Sequence, residues 1–229
     1  MPVAAPVSIM MYHGTVRRLP LGEQLGVAAA LGAETLTIGP REYRAWTESG
    51  LGASEIRARA ADAGVRIDHI DPFIRWVPDA AFAGGSVPFE THPDTDELFR
   101  MADALDARSV SVVGMFPHGA LGVEEMTDRF GAFLRRATER GLRCDLEFVP
   151  IWGLPDLATA RAILRGAGGG GLMFDIWHYS RGRPDDALLG CIPGSAVHRV
   201  QLNDGTATVP AGRDPLEDTR NHRRLPGQG

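Results

Sequence analysis

Short β-rich runs alternate with helical runs along this whole chain, and that alternation restricts the fold to a parallel sheet covered by helices. Residues 7–13 (VSIMMYH), 35–39 (TLTIG), 65–70 (VRIDHI), 109–116 (SVSVVGMF), 142–149 (LRCDLEFV), 172–176 (LMFDI) and 196–202 (AVHRVQL) predict seven strands. Helical patterns fall between them at 21–31, 54–63, 95–105, 124–140, 157–165 and, briefly, 185–189, with Ser54 expected as an N-cap.

An open doubly wound sheet and a closed (β/α)8 barrel both satisfy this alternation. No G-x-G-x-x-G follows the first strand, where a dinucleotide fold needs it. The glycine run 168–171 stands between a helix and the next strand, so it is expected to be a loose connection. Polar residues gather instead at the carboxyl ends of successive strands: His13, Asp71, His118, Glu147, Asp175 and Gln201. A barrel builds its active site there, which favours a (β/α)8 barrel. The 229 residues fit one domain, 1–229, with 204–229 an irregular polar segment. Seven βα units are accounted for, and the eighth strand and helix are expected to be missing. Open edges on the first and seventh strands would favour a homo-oligomer.

Composition then narrows the chemistry. All 24 basic residues are Arg and none is Lys, which removes Schiff-base, pyridoxal-lysine and phosphate-loop-lysine mechanisms. A net charge of -5 without a basic block argues against a nucleic-acid partner. Cys144 and Cys191 lie in apolar segments and form no disulfide framework, so a cytoplasmic location is expected. Residues 1–11 lack a basic n-region, and no apolar run approaches the roughly 20 residues of a membrane span.

Strand five carries Arg143, Cys144, Asp145, Leu146 and Glu147 in succession. Alternation along a strand puts Arg143, Asp145 and Glu147 on the lumen face, with Glu147 at the mouth. The deeper Arg143 and Asp145 are then buried and must pair, with each other or with Arg199 of strand seven. Strand six opens into Asp175-Ile176-Trp177-His178, and strand seven into Gln201-Leu202-Asn203-Asp204. Two carboxylates and an amide oxygen at one level of three adjacent strands make a hard-oxygen site for a divalent cation. Without a cation the two carboxylates would repel.

With Glu147 in LEFVP, Asp175 and His178 in FDIWHYSRG, and Gln201 in VQLNDG, the chain resembles the xylose isomerase-like barrel family. That family holds sugar isomerases and epimerases, inosose dehydratase, 3-dehydroshikimate dehydratase and, more distantly, endonuclease IV. The closing RRLPGQG (223–229) is similar to the stretch that precedes the last strand there. The resemblance implies Glu147 and Asp175 as metal ligands, with Gln201 as a third where many members have His. It implies His178 as the histidine that meets the substrate's carbonyl or hydroxyl. A fourth ligand, a glutamate, belongs to the eighth strand; Glu217 and Asp218 are the acidic residues that could fold over the mouth in its place.

The expectation is a divalent-metal-dependent isomerase or epimerase acting on a keto-sugar or cyclitol-like polyhydroxy carbonyl compound through an enediolate. Glu147 and His178 would be catalytic. Mn2+ or Mg2+ suits the ligand set best, with Co2+ and Zn2+ as alternatives. His13, His118, Trp177, Arg213 and Arg220 are expected around the substrate, the arginines through bidentate bonds to a carboxylate or phosphate. A dehydratase of the 3-dehydroshikimate or inosose type is one alternative, suggested by the glutamine at 201. A truncated, non-catalytic sugar-binding paralogue is the other. Endonuclease-like phosphodiester hydrolysis is disfavoured by the acidic charge and by seven scattered histidines.

Overall fold

The predicted alternation is realised. The computed structural model describes residues 7–229. Seven strands follow one another along it: β1 (Met10–Met11), β2 (Thr35–Ile38), β3 (Arg66–Phe73), β4 (Ser109–Val113), β5 (Arg143–Glu147), β6 (Gly171–Asp175) and β7 (Val197–Gln201). Their order in the sheet is their order in the chain. Pairs β1–β2, β2–β3, β5–β6 and β6–β7 are parallel. The fold is therefore α/β of the (β/α)8 type, with seven strands among the described residues.

The helices are α1 (Leu21–Ala30), α2 (Pro40–Glu48), α3 (Ala53–Asp62), α4 (Thr95–Leu105), α5 (Val123–Thr138), α6 (Leu157–Ala167), α7 (Ile176–Arg181), α8 (Asp186–Gly190) and α9 (Pro215–Asn221). Four differ from expectation. Helix α9 stands inside 204–229, expected to be irregular; Asp214 caps it and Pro215 begins it. Helix α2 was not anticipated; Gly39 caps it and Pro40 begins it, the position where a missing N–H costs nothing. In α3 the N-cap is Gly52, so Ser54 sits inside the first turn. Helix α7 starts directly at the end of β6 with Asp175 as its cap, where a loop was expected.

By its contacts the chain resolves into two compact units. The first comprises Met1–Phe73 and Thr91–Val110. Strand β2 is buried throughout, and Leu21, Leu25 and Ala28 of α1 are buried in the same core. Helix α4 opens with a capping box in which Asp94 and Glu97 satisfy each other's backbone N–H, and it buries Leu98, Phe99, Ala102 and Leu105. His69, uncertain in direction from the sequence, is wholly buried with Nδ1 2.8 Å from Ser109 Oγ. The predicted first strand shrinks to two residues, and His13 lies beyond it in a 3-10 turn. Residues 1–6, part of the apolar N-terminal run, lie outside the described residues.

The second unit comprises Ile74–Glu90 and Ser111–Gly229. Helix α5 buries Met126, Phe130, Phe133 and Ala137, a one-sided stripe at helical spacing. Phe130 meets the Trp76 ring nearly edge-on at 6.2 Å, while Trp76 Nε1 donates to the Val113 carbonyl at 2.9 Å. The glycine run is the expected connection: Gly168 ends α6 with a left-handed φ of 73°.

Strand β5 bears out half of the parity reading. Asp145 is fully buried, but Arg143 is about half exposed at the start of the strand and only 3.6 Å from it. The close partners come from β7, as one alternative anticipated: Arg199 Nε at 2.8 Å, joined by His198 Nδ1 at 2.7 Å. His198 was not anticipated. It reaches Asp145 because the β6 residue level with that carboxylate is Gly171, where a Cβ would collide with the imidazole.

Candidate metal centre

Glu147 ends β5, and Asp175 ends β6. Register places Asp175 level with Gln201, as expected, but Glu147 level with Met173, two residues lower. The common level expected of three strand ends is thus staggered, and side-chain reach closes the gap. Asp175 Oδ1 accepts the backbone N–H of His178 at 3.0 Å, which caps α7 and turns His178 back toward the strand ends. His178 Nε2 comes to 3.4 Å from Glu147 Oε1 and 3.8 Å from Asp175 Oδ2. All three residues are buried, and one ligand atom from each lies within 4.8 Å of the others.

This donor set fits a divalent cation. Two carboxylates and an imidazole converging in a buried site match the chemistry of Zn2+ or a harder first-row ion. Buried there without a cation, the two carboxylates are a like-charge pair. The third donor found beside them is His178, with Gln201 half-buried on the neighbouring strand.

Asp175 has two further partners. Asn203 Nδ2 donates to Oδ1 at 3.2 Å, and Arg223 Nη1 donates to Oδ2 at 2.6 Å. Burial pushes the Asp175 carboxyl up, but the charges of His178 and Arg223, with the hydrogen bonds from both, outweigh burial and hold it below its ordinary range. Arg223 itself is held by Thr219, with Nε on the carbonyl at 2.9 Å and Nη2 on Oγ1 at 3.1 Å. Its guanidinium lies 5.2 Å from the Trp177 ring centre, and that of Arg181 lies 5.3 Å from it.

Asp218 anchors this C-terminal segment. It is 1% exposed and accepts from Arg181 Nε at 3.0 Å and Arg213 Nη1 at 3.1 Å. Burial pushes its carboxyl up, yet the hydrogen bonds and charges of the two arginines bring it below the ordinary value. A depressed folded-state value means that this stabilisation is complete above the unfolded carboxyl value of about 3.9. It is lost as pH falls from there through the lower folded-state value. Asp218→Asn is therefore expected to destabilise the protein by about 3 kcal/mol at neutral pH, with the gap to wild type closing in acid. Urea unfolding across pH checks this; a gap that persists at low pH would show that packing, not charge, is responsible.

The other expected residues fall as follows. Trp177 is buried beside His178, their ring centres 5.5 Å apart. His13 is buried in the first unit, with Nδ1 2.8 Å from Thr37 Oγ1 and Nε2 3.7 Å from Glu42. His118 was expected at the end of strand four, but β4 stops at Val113 and His118 is exposed in the following turn beside Pro117. Arg213 is committed to Asp218, and Arg220 is exposed on α9. The same pairing removes Asp218 as a substitute ligand, while Glu217 is exposed and lies 3.4 Å from His222. Asn203 and Arg223 are the contacts to Asp175 that sequence reasoning missed, since strand periodicity says nothing of how residues 202–229 fold back.

A family model described as xylose isomerase-like TIM barrel matches residues 25–229. The chain belongs to the xylose isomerase-like TIM barrel family. This family includes isomerases, epimerases and dehydratases. No curated protein matches the sequence. Among solved structures, the chain is similar to a xylose isomerase-like TIM barrel/4-hydroxyphenylpyruvate dioxygenase fusion protein at 22% identity and a TM-score of 0.78, over 98% of this chain. It spans only 35% of that fusion protein's length. It is also similar to the IolI protein, whose structure holds a zinc atom, at 16% identity and a TM-score of 0.78, covering 97% of this chain and 80% of that one. D-allulose 3-epimerase from Methylomonas sp., solved with D-allulose, matches at 13% identity and a TM-score of 0.63, over 96% of this chain and 82% of that one. At such identities the likeness establishes the fold. No helix among the described residues is long and apolar enough to cross a membrane.

Proposed function

We propose that the chain is a divalent-metal-dependent isomerase or epimerase of a small polyhydroxy carbonyl compound, a keto-sugar or cyclitol. The buried convergence of Glu147, Asp175 and His178 carries this reading. Those three residues would hold the cation, with Gln201, level with Asp175, adding an amide oxygen. When bound, the cation supplies Lewis-acid stabilisation of the oxyanion that develops as a neighbouring carbon loses its proton. Glu147 takes that proton through a carboxylate oxygen, while His178 stays a ligand. Asn203 and the capping N–H of α7 fix the rotamer of Asp175, so the carboxylate is aimed before anything binds. Trp177 packs edge-on against the His178 ring.

The zinc in the IolI neighbour and the D-allulose of the epimerase neighbour support the metal and the substrate class. The partner is a small molecule, and neither nucleic acid nor membrane enters this reading. Gln201 favours one second reading, a dehydratase; loss of water would leave a conjugated product visible by ultraviolet absorbance, whereas epimerisation would not. Elemental analysis of protein purified without chelator, beside Asp175→Ala, tests the proposal. About one divalent metal per chain, lost in the variant, is the expected outcome. Metal retained by Asp175→Ala, or absent from both proteins, would sink it.

A further inference from the structure

We propose that Arg223 competes with the divalent cation for Asp175 and His178, so that the segment 204–229 gates metal entry; this rests on the metal reading above. Arg223 Nη1 donates to Asp175 Oδ2 at 2.6 Å, and Nη2 lies 3.4 Å from His178 Nε2. Nε2 is thus the His178 atom that faces the guanidinium, and it is also the atom nearest both carboxylates, at 3.4 Å from Glu147 Oε1. Oδ2 and Nε2 stand 3.8 Å apart, and both face the same cationic group. A metal held by these two atoms would need the space that the Arg223 guanidinium now fills. It would also place two cationic groups within a few ångströms in a buried site, where repulsion is poorly screened. The two occupants are mutually exclusive.

The mobile partner is the arginine. Asp175 is wholly buried and held by α7 and Asn203, whereas the Arg223 side chain is 28% exposed and has solvent to swing into. Its restraints are Thr219 at the end of α9 and the face of Trp177. Its neighbour Arg224 is tied independently, through paired backbone hydrogen bonds to Asp204 at 3.0 and 2.7 Å. Withdrawal of the Arg223 side chain therefore frees the end of α9 without releasing the Asp204 strap. In the metal-free protein the guanidinium neutralises Asp175, which would otherwise face Glu147 as an unpaired buried carboxylate.

Mn2+ binding followed by electron paramagnetic resonance on wild type, Asp175→Ala and Arg223→Gln provides the test. Arg223→Gln is expected to bind Mn2+ at least about tenfold more tightly than wild type. Hydrogen exchange gives a second readout: Mn2+ should speed amide exchange in α9 of wild type and leave it unchanged in Arg223→Gln. Should Arg223→Gln fail to fold, Thr219→Val loosens the arginine while retaining its charge, and a severalfold gain in Mn2+ affinity is expected. If wild type binds Mn2+, Asp175→Ala does not, and the arginine variant binds equally or more weakly, competition is overturned while the metal site stands. If neither wild type nor Arg223→Gln binds Mn2+, both readings fall.

Discussion

Under the proposed epimerase reading, Glu147→Gln is expected to lower turnover of a keto-sugar by about 10³-fold, within the range by which a positioned general base accelerates proton transfer. The amide keeps the volume of the carboxylate at the end of β5 but has no basic oxygen to receive a proton. Stability should not fall with activity. The nearest ionisable partner of Glu147 is His178 at 3.4 Å, and neutralising one of two adjacent buried carboxylates relieves repulsion in the metal-free state. Turnover and deuterium incorporation from solvent at the carbon next to the carbonyl should fall together, while the melting temperature stays level or rises. Exchange that persists at the wild-type rate would assign proton removal to another group.

The largest expected effect on stability lies deeper in the same unit. Asp145→Ala should destabilise the fold by about 3–5 kcal/mol, the cost of removing one partner from a buried ionic cluster. The carboxylate is fully buried, with His198 Nδ1 at 2.7 Å and Arg199 Nε at 2.8 Å. Their side chains are only 23% and 18% exposed, so neither recovers full hydration when Asp145 is lost. Arg143, half exposed and 3.6 Å away, is the partner that can turn to water without cost. Arg143→Ala should accordingly change stability by less than about 0.5 kcal/mol. Urea unfolding of the two variants separates them, and equal losses would mean that Arg143 holds Asp145 as firmly as His198 and Arg199 do. The metal binding proposed at Glu147 and Asp175 should survive Asp145→Ala at temperatures where the protein remains folded.

The alternation of strands and helices, the (β/α)8 class and Glu147 and Asp175 at strand ends were legible in the sequence. Each follows from period-two and helical hydrophobic patterns, which short-range sterics and burial impose along the chain. The family itself was legible too, because its motifs keep their order: Glu147 in LEFVP, then FDIWHYSRG, then VQLNDG. Helix α2 was harder to see, since its apolar residues are few and only Pro40 after Gly39 marks its start. His118 misled because the apolar run 109–116 extends past the hydrogen-bonded end of β4, and periodicity does not report where pairing stops.

Other features depended on tertiary structure. The stagger between Glu147 and Asp175 is a property of strand register, which no single strand encodes. His198 reaches Asp145 only because Gly171 of the intervening strand lacks a side chain. Asn203, Arg223 and the Asp218 anchor come from a polar segment without periodicity, whose path is set by where buried carboxylates find their donors. Local pattern therefore determined which residues stand at the strand ends. Three-dimensional pairing decided which of them meet, because a buried charge must find a partner wherever in the chain one lies.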